Sequence, residues 1–454
     1  MKNFFFIICL FISSFAYARG GVTVKTLETG QKLIVSEDKS LPVCYLYMVL
    51  KNGAIWDPKE LEGLTSITSE MLMRGTTTRT REQIRDELDI LGAEIDIEAG
   101  QEGITIVGQT LTRNLDPFLA IFSDVILHPS FDSKELAKLK REVISQLKQM
   151  RENDQALVGR FFIRSLFKGH PYGMSSDGKE STVQKITENK VKDFYRKLFV
   201  GNNALFAASG DLNEFEISKK ITQAFKDLPK GKSVSFQYPP SPIVKGKEII
   251  LIDKPARTQT QIMIGHVGIQ VLDPDYFPLL IANNAFGGGF TARLMQEVRV
   301  KRGWSYGSYS WFRARKTPGE FAMMAFPGTK DTVETLKLML SLYEDYAAKG
   351  ITQEEFNLSK NNLINEFPFK IDTARKKVSQ LILMELMGLP SDYLDTYRKR
   401  LEKVTLEEVN QAIQKHADSK NLFIAILCTA KEFKNKLTFL GKDTKITIKK
   451  YTDD

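Results

Sequence analysis

The chain has 454 residues, of which 42% are hydrophobic and 26% are charged, and a formal net charge of +9. The length is too great for one ordinary hydrophobic core and indicates roughly two to three domains, and the composition is that of a soluble globular protein. The basic residues mostly alternate with acidic ones, as in "KELAKLKREVISQLKQMREND". The positive charge therefore indicates a solvated helix surface, and we expect no nucleic-acid partner.

Residues 1–18 have the pattern of a secretory signal peptide. One lysine precedes an apolar segment, and "AYA" at residues 16–18 has the small-x-small form of a cleavage site. Cys9 lies inside the apolar segment and not directly after the cleavage site, so we expect no lipoprotein anchor. The pattern predicts export to the periplasm. No later segment reaches about 18 consecutive apolar residues, which predicts a mature chain without a membrane span.

The first half of the mature chain, residues 19–226, alternates strand and helix patterns. Four apolar or alternating segments are predicted strands, "KLIVSED", "VCYLYMVLKNG", "AEIDIEA" and "ITIVGQTL", and a four-residue hairpin connection at residues 100–103 joins the last two. Amphipathic periodicity predicts helices over residues 57–73, 79–91, 114–127, 133–152 and 188–198. Hairpin strands separated by paired helices predict an α+β fold, in which helices cover one face of a mainly antiparallel sheet.

A proline-rich segment over residues 227–248 divides the chain near its middle. It has three prolines within four residues, Pro239, Pro240 and Pro242, and little periodicity, which is typical of an extended linker. The predicted organisation is therefore an N-terminal domain over residues 19–226, this linker, and a C-terminal domain over residues 249–454.

The two domains contain similar segments at a shared spacing. "FDSKELAKLKREVI" begins at residue 131 and "ITQEEFNLSKNNLI" begins 220 residues later, each with a helix-capping pattern. "KITENKVKDFYRKLF" at residue 185 similarly matches "KVTLEEVNQAIQKHA" at residue 403, and each is followed by an apolar strand. The spacing indicates two homologous halves and not a solenoid, whose repeats are ~20–50 residues long. The two cysteines of the mature chain, Cys44 and Cys428, lie in apolar strand-like segments and are predicted to be buried.

The segment "VRVKRGWSY" in the second domain joins the end of a helix to a strand. A helix from about residue 291 is predicted to end near Lys301, where Gly303 stops it, and an aromatic-rich strand begins at Trp304. Arg299 then lies in the last helical turn and Tyr306 on the adjoining strand, so both side chains can point into one cleft. An arginine there also suits the helix dipole, and a tyrosine in a strand is ordinary packing, so the pair alone does not define a site.

Three segments carry a resemblance to a known family: "GLTSITSEMLMRGT" at residues 63–76, "GHPYG" at residues 169–173 and "ARLMQEVRVKRGWSYGSYS" at residues 292–310. Together with the two-half organisation, they resemble the insulinase, pitrilysin and mitochondrial-processing-peptidase family of zinc metallopeptidases. The similarity extends from about residue 22 to about residue 433. It implies a metallohydrolase-type α/β sandwich in each half.

Active members of this family place His-x-x-Glu-His on the helix after a Gly-Leu pair, because two imidazoles four residues apart and a carboxylate base can hold and use zinc. The resemblance places Ser66 and Glu70 at the two histidine positions, Ser69 at the base, and Gln146 at a third ligand, which is a glutamate in the family. A neutral amide and two hydroxyls do not hold zinc, so we expect no cofactor bound by this chain. Its four histidines are scattered, and no pair has ligand spacing.

The family also uses an arginine and a tyrosine of its second half, seven residues apart, to hold the substrate backbone and the oxyanion beside the zinc. Arg299 and Tyr306 have this spacing, and Gly287, Gly288 and Gly289 before them are expected to form a tight turn close to a neighbour or a bound peptide. In several bacterial branches one subunit keeps the zinc motif and its partner keeps the Arg-Tyr pair. The resemblance therefore implies a non-catalytic subunit that assists a homologous zinc-containing partner in peptide hydrolysis.

Two other hypotheses stay open. The chain could be a structural or peptide-binding scaffold descended from the same family, in which case the Arg-Tyr pair is retained without use. It could instead hydrolyse peptides alone, with Ser66 or Ser69 as the nucleophile, although no histidine or lysine relay is evident beside them.

Overall fold

A computed structural model describes residues 17–19, 21–233, 235–441 and 444–453 of the chain. Most of the predicted signal peptide, including Cys9, lies outside the described residues. The end of that segment belongs to strand β1 (Tyr17–Arg19), which pairs antiparallel with residues 22–24. Cleavage after Ala18 would therefore remove two of the three residues of β1.

The first half is built on a seven-stranded sheet. Its further strands are β2 (Val22–Thr26), β3 (Lys32–Glu37), β4 (Val43–Leu50), β5 (Glu94–Ala99), β6 (Ile104–Leu111) and β7 (Ala204–Gly210). Their spatial order is β1-β2-β3-β7-β4-β6-β5, and every adjacent pair is antiparallel except β3 and β7. β5 and β6 form the predicted hairpin, in which Gly100 N donates to Gly103 O at 2.9 Å.

The helices of the first half cover mainly one face of this sheet. They are α1 (Leu64–Met71), α2 (Arg81–Leu91), α3 (Leu115–Leu127), α4 (Ser133–Met150), α5 (Asp154–Leu166), α6 (Glu180–Val183), α7 (Glu188–Leu198) and α8 (Glu214–Ala224). All of these helices except α5 contribute side chains to one continuous hydrophobic core. The mainly antiparallel sheet with a helical layer is the predicted α+β fold.

The second half repeats this plan on a six-stranded sheet. Its strands are β8 (Lys247–Asp253), β9 (Gln261–Val267), β10 (Ser305–Arg313), β11 (Glu320–Pro327), β12 (Leu422–Cys428) and β13 (Lys445–Lys450). Its helices are α9 (Tyr276–Phe286), α10 (Thr332–Lys349), α11 (Gln353–Glu366), α12 (Ala374–Met387), α13 (Tyr393–Lys403) and α14 (Leu406–His416). The strand order is β10-β11-β9-β12-β8-β13, with β8 parallel to both of its neighbours.

The duplication is visible in the strand order. Five strands of the first sheet lie in the order β3-β7-β4-β6-β5, and their counterparts in the second sheet lie in the order β8-β12-β9-β11-β10. Each counterpart is the strand five places later along the chain, and in both sheets the central strand is antiparallel to its two neighbours. The two homologous halves predicted from the repeated segments are therefore confirmed.

One helix of each half packs on the sheet of the other half. α5 of the first half packs on β9 and β12 of the second sheet, and α12 of the second half packs on β3 and β7 of the first sheet. The buried residues of α5, among them Phe161 and Phe162, form a hydrophobic cluster with Ile250, Met263 and Phe423. Helices therefore cover both faces of each sheet, and the helix on the second face comes from the other half. These contacts form a hydrophobic interface between the two halves.

The predicted helices agree with the structure except at the first one. The helix predicted over residues 57–73 is α1, which spans only Leu64–Met71. Gly63 adopts a left-handed conformation with φ of +98°, which a continuous helix does not allow. Residues 57–62 before it form a loop that contains a single 3₁₀ turn, Lys59–Leu61. Of the helices of the first half, α5, α6 and α8 are not among those predicted. Cys44 and Cys428 are both buried, as predicted.

The segment between the two halves is extended. Its described residues between 229 and 245 belong to neither helix nor strand, and β8 begins at Lys247, so the last two residues of the predicted linker, 247 and 248, belong to that strand. Within the described residues, no helix is both long enough and apolar enough to cross a bilayer.

Candidate functional site

The helix that carries the substituted zinc positions is α1. The Asp57 carboxylate caps it by accepting hydrogen bonds from the backbone N–H groups of Gly63 and Thr65, at 2.8 and 2.9 Å. Burial raises the pKa of Asp57 to about 7, and the hydrogen bonds from Thr65 and Gly63 act in the opposite direction. The apolar face of the helix is buried in the first core, through Leu64, Ile67 and Met71. The helix is thus retained by its cap and its packing.

Three of the four substituted zinc positions line one small cavity. Ser66 and Glu70 of α1 and Gln146 of α4 lie in the wall of a cavity of about 230 Å³, together with Asp177. Ser69 is not part of that wall. It is 1% exposed, and its hydroxyl has no hydrogen-bond partner among the described residues. The fold therefore brings residues 66, 70 and 146 together, as a three-ligand site requires, but with different donor atoms.

These donor atoms do not suit zinc. Protein zinc sites use imidazole nitrogen, thiolate and carboxylate ligands, whereas Ser66 and Gln146 offer a neutral hydroxyl and a neutral amide. Burial raises the pKa of the Glu70 carboxyl, while the Arg74 cation and a hydrogen bond with Ser66 oppose the shift. Arg74 is itself held by Glu142 of α4. The cavity keeps the geometry of a paired-helix metal site without its ligands.

One other cluster contains side chains of metal-binding type. Among the described residues, Asp273, Asp275 and His416 are the acidic and histidine side chains close enough together to share an ion. Asp275 already accepts a hydrogen bond from Lys415 at 2.7 Å and is paired with His416 at 2.8 Å. Its Oδ2 atom is therefore already engaged by two side chains, and none of the residues of this cluster lines the cavity beside α1.

Arg299 lies in an unusual turn of the second half. Residues Met295–Val300 form a π-helix, in which Lys301 N donates to Gln296 O at 3.0 Å. Gly303, with φ of +64°, then reverses the chain, and β10 begins two residues later. The predicted helix end and strand start are confirmed, whereas the π-helix was not expected. Single π-turns are rare and occur frequently at functional sites.

The turn brings Arg299 and Tyr306 into contact. The guanidinium carbon of Arg299 lies 4.9 Å from the centroid of the Tyr306 ring, a cation–π arrangement. Tyr306 is 76% exposed, and Arg299 is half-buried. Within the described part of the chain, neither the guanidinium nor the phenol makes a hydrogen bond or an ion pair. Five guanidinium N–H donors and one phenolic O–H therefore remain available to a ligand on one surface.

Tyr306 belongs to an edge strand. β10 pairs only with β11 within the described sheet, and its register slips between Ser305 and Ser308, which is a β-bulge around Tyr306. Bulges bend a strand locally and redirect side chains, and they are common beside active sites. The bulge and the π-helix together position the exposed phenol beside the guanidinium.

The glycine run contacts the same strand. Gly287 follows α9, and its carbonyl accepts a hydrogen bond from Ser310 N of β10 at 2.9 Å. A Cβ atom at Gly287 would lie 2.4 Å from Ser310 N, so only glycine fits there, and one at Gly288 would lie 2.7 Å from Asn284 Cα. Gly289 has open space around it. The close approach to a neighbour explains the first two glycines, while the expected peptide contact stays a prediction.

Models of one peptidase family match both halves of the chain. A model of the insulinase family, peptidase family M16, matches residues 33–178, and a model described as the peptidase M16 inactive domain matches residues 185–363. A Helicobacter pylori protein described as the non-peptidase homolog YmxG is 23% identical over 88% of this chain and 93% of that protein.

Solved structures show the same fold. A peptidase M16 inactive domain from Pseudomonas fluorescens superposes with a TM-score of 0.83 and 28% identity, covering 89% of this chain and 97% of that chain. The periplasmic protease PqqL from Escherichia coli gives a TM-score of 0.76 with 16% identity, covering 97% of this chain and 51% of that one. With the duplicated sheets and the substituted helix α1, these matches show that the chain belongs to the M16 (insulinase) family of peptidases.

Proposed function

We propose that this chain is the metal-free subunit of a heteromeric zinc metallopeptidase. Arg299 and Tyr306 complete the active site of a homologous partner that carries His-x-x-Glu-His. In this assignment the partner holds the zinc, and this chain supplies hydrogen-bond donors for the peptide and for the oxyanion. The observation that carries the proposal is the contact between an unpaired arginine and an exposed tyrosine on one surface.

The chemistry of the pair fits this role. A guanidinium donates to the carbonyl groups of an extended peptide without needing a counter-ion, and a phenol donates one hydrogen bond to a developing oxyanion. Both groups act in the assembled site only if they are free before assembly. Arg299 has no carboxylate partner in the described part of the chain, in contrast to Arg302, whose guanidinium binds Glu297 Oε2 at 2.7 Å.

The cavity beside α1, in which the zinc-ligand positions are substituted, supports the assignment of the metal to the partner. Ser66, Glu70 and Gln146 line it without zinc ligands, so hydrolysis by this family's chemistry needs a metal site on another chain. A peptide substrate in such an assembly adds as an edge strand to a sheet of the zinc subunit. The signal-peptide pattern of residues 1–18 supports a periplasmic location for the proposed assembly.

The test is reconstitution from separately purified chains. The partner supplied is a homologous chain that carries His-x-x-Glu-His, and the readout is cleavage of a fluorogenic peptide library. We expect this chain alone to be inactive, the mixture to be active above the partner alone, and a zinc chelator to abolish the gain. Cleavage by this chain alone in chelator would contradict the proposal and would favour the solitary hydrolase.

A scaffold function is the second candidate, because the Helicobacter pylori relative is described as a non-peptidase. It predicts stable assembly or peptide binding with no gain in hydrolysis for any zinc-containing partner. Sedimentation and cleavage assays on the same mixture separate the two functions, since only the proposed subunit couples assembly to turnover.

A further inference from the structure

A large cavity lies where the two halves meet, away from both features described above. Its volume is about 920 Å³, within the range of small-molecule binding sites. Its walls come from the loop before α1, the end of α5, the segment around α6, the linker, and strands β8, β12 and β13. Its lining does not include Arg299, Tyr306 or the glycines at 287–289, and it shares no residue with the lining of the cavity beside α1.

One wall of this inter-half cavity is apolar and aromatic. Trp56 and Phe236 pack edge to face, with ring centroids 5.4 Å apart, so the linker is fixed against the first half at this wall. Other apolar side chains in the wall are Ile55, Phe167, Ile250 and Phe423. An apolar surface of this kind favours a hydrocarbon or aromatic body over a fully hydrated ligand.

The rim of the cavity carries an excess of positive charge. Five lysines of the lining have no carboxylate partner within the described part of the chain: Lys59, Lys168, Lys179, Lys185 and Lys449. Two of the four acidic residues in the lining are already engaged in ion pairs. Glu62 accepts hydrogen bonds from Arg164 at 2.8 and 3.2 Å, and Glu248 lies 3.9 Å from Lys445.

Lys179 and Lys449 converge on this rim from different halves of the protein. Lys179 is half-buried beside α6, and Lys449 lies on β13. Burial lowers the pKa of the Lys179 ammonium, and the positive charges of Arg164 and Lys449 lower it further. Two cations that repel each other at the mouth of a cavity are stabilised by an anion placed between them.

We propose that the inter-half cavity binds an amphiphilic anion, with its apolar chain against Trp56 and Phe236 and its carboxylate or phosphate head between Lys179 and Lys449. The apolar wall and the cationic rim each select one part of such a molecule. A nucleic acid or another fully hydrated polyanion would leave the apolar wall without a partner. The site goes beyond the proposed function, because it involves no residue of that site.

The test is calorimetric titration of the full mature chain with decanoate and with decyl phosphate, below the concentration at which either forms micelles. We expect saturable one-to-one binding of at least one of the two, and the two ligands distinguish a carboxylate from a phosphate head. Decanol lacks the charge, and acetate and inorganic phosphate lack the chain, so all three should bind at least roughly tenfold more weakly. Equal binding by decanol or by inorganic phosphate would overturn the proposal.

Variants assign the binding to this cavity. The double variant Lys179→Gln/Lys449→Gln should weaken binding by roughly tenfold, and Phe236→Ala by about five- to tenfold. The matched control Lys134→Gln/Lys330→Gln removes two exposed lysines outside the cavity and should leave affinity unchanged. Unchanged affinity in the first double variant would overturn the proposal, and tighter binding by an acidic peptide than by either amphiphile would overturn the ligand class.

Discussion

The guanidinium of Arg299 lies over the ring of Tyr306, 4.9 Å from its centroid, although the two residues belong to different elements. A π-helix ends at the residue after Arg299, and a bulged edge strand holds Tyr306. Both side chains are left without polar partners in the described part of the chain. An unpaired guanidinium and an unpaired phenol on one surface are both available to donate hydrogen bonds to a ligand.

The phenol of Tyr306 should affect the chemical step. Tyr306→Phe removes one hydrogen-bond donor and keeps the ring under Arg299, so the kcat of the reconstituted mixture should fall by about 100-fold with little change in KM. Tyr309→Phe, on the same strand, is the matched control and should retain activity. Steady-state kinetics on a single cleaved peptide measures both constants. A change confined to KM would contradict a role at the oxyanion.

The cavity beside α1 should accept zinc once its ligands are restored. The triple variant Ser66→His/Glu70→His/Gln146→Glu puts two imidazoles and a carboxylate at three positions that already line one cavity. We expect it to retain about one zinc ion per chain after dialysis, measured by atomic absorption, whereas the wild-type chain retains none. The double variant without Gln146→Glu should hold zinc more weakly. No retained zinc in the triple variant would show that the helix geometry has been lost.

The buried cap of α1 should make stability depend on pH. The pKa of Asp57 is raised by burial to about 7 from an ordinary value of 3.8, so the folded state binds this proton more tightly than the unfolded state. The stability from this group is therefore fully present below about pH 4 and is lost as the pH rises through about 7.

Relative to Asp57→Asn, the wild-type free energy of unfolding should fall by roughly 2–4 kcal/mol across that interval. Urea unfolding of both proteins at several pH values measures the difference. A difference that does not change with pH would contradict the raised pKa.

The exchanged helices should make the two halves unfold together. Phe162 of α5 is fully buried, and its ring lies 5.9 Å from that of Phe423 in the other half. Phe162→Ala leaves a cavity in this shared cluster and should cost about 3–5 kcal/mol, while the exposed Phe215→Ala should change little. Hydrogen exchange should then speed up in β9 and β12 of the second half. Faster exchange in the first half alone would show that the helix does not couple the two.

Local features of the fold were predictable from the sequence because neighbouring residues determine them. Thr352 and Glu355 form the reciprocal cap that their spacing predicts, and Gly100–Gly103 closes the predicted hairpin. The exchange of α5 and α12 was not predictable in this way. An apolar helix face shows that a partner exists, but which sheet covers it depends on contacts far apart along the chain.

In the candidate site, too, local features were predictable from the sequence, whereas features that depend on packing were not. The spacing of Arg299, Gly303 and Tyr306 predicts a helix end and a strand start, and the structure has both. The π-helix has no signal in the sequence, because the same residues also suit an α-helix and only the packing of the next strand decides. The early start predicted for α1 was wrong for a related reason, since Gly63 and the Asp57 cap begin the helix seven residues later.

The measurement that tests the central claim most directly is peptide hydrolysis by the reconstituted mixture carrying Arg299→Ala in this chain. Arg302→Ala is the control, because Arg302 lies in the same turn but is already paired with Glu297. If Arg299 holds the substrate in a site whose zinc belongs to the partner, kcat/KM should fall by about 10- to 100-fold for Arg299→Ala alone, with assembly unchanged. Full activity of an assembled Arg299→Ala mixture would contradict the account.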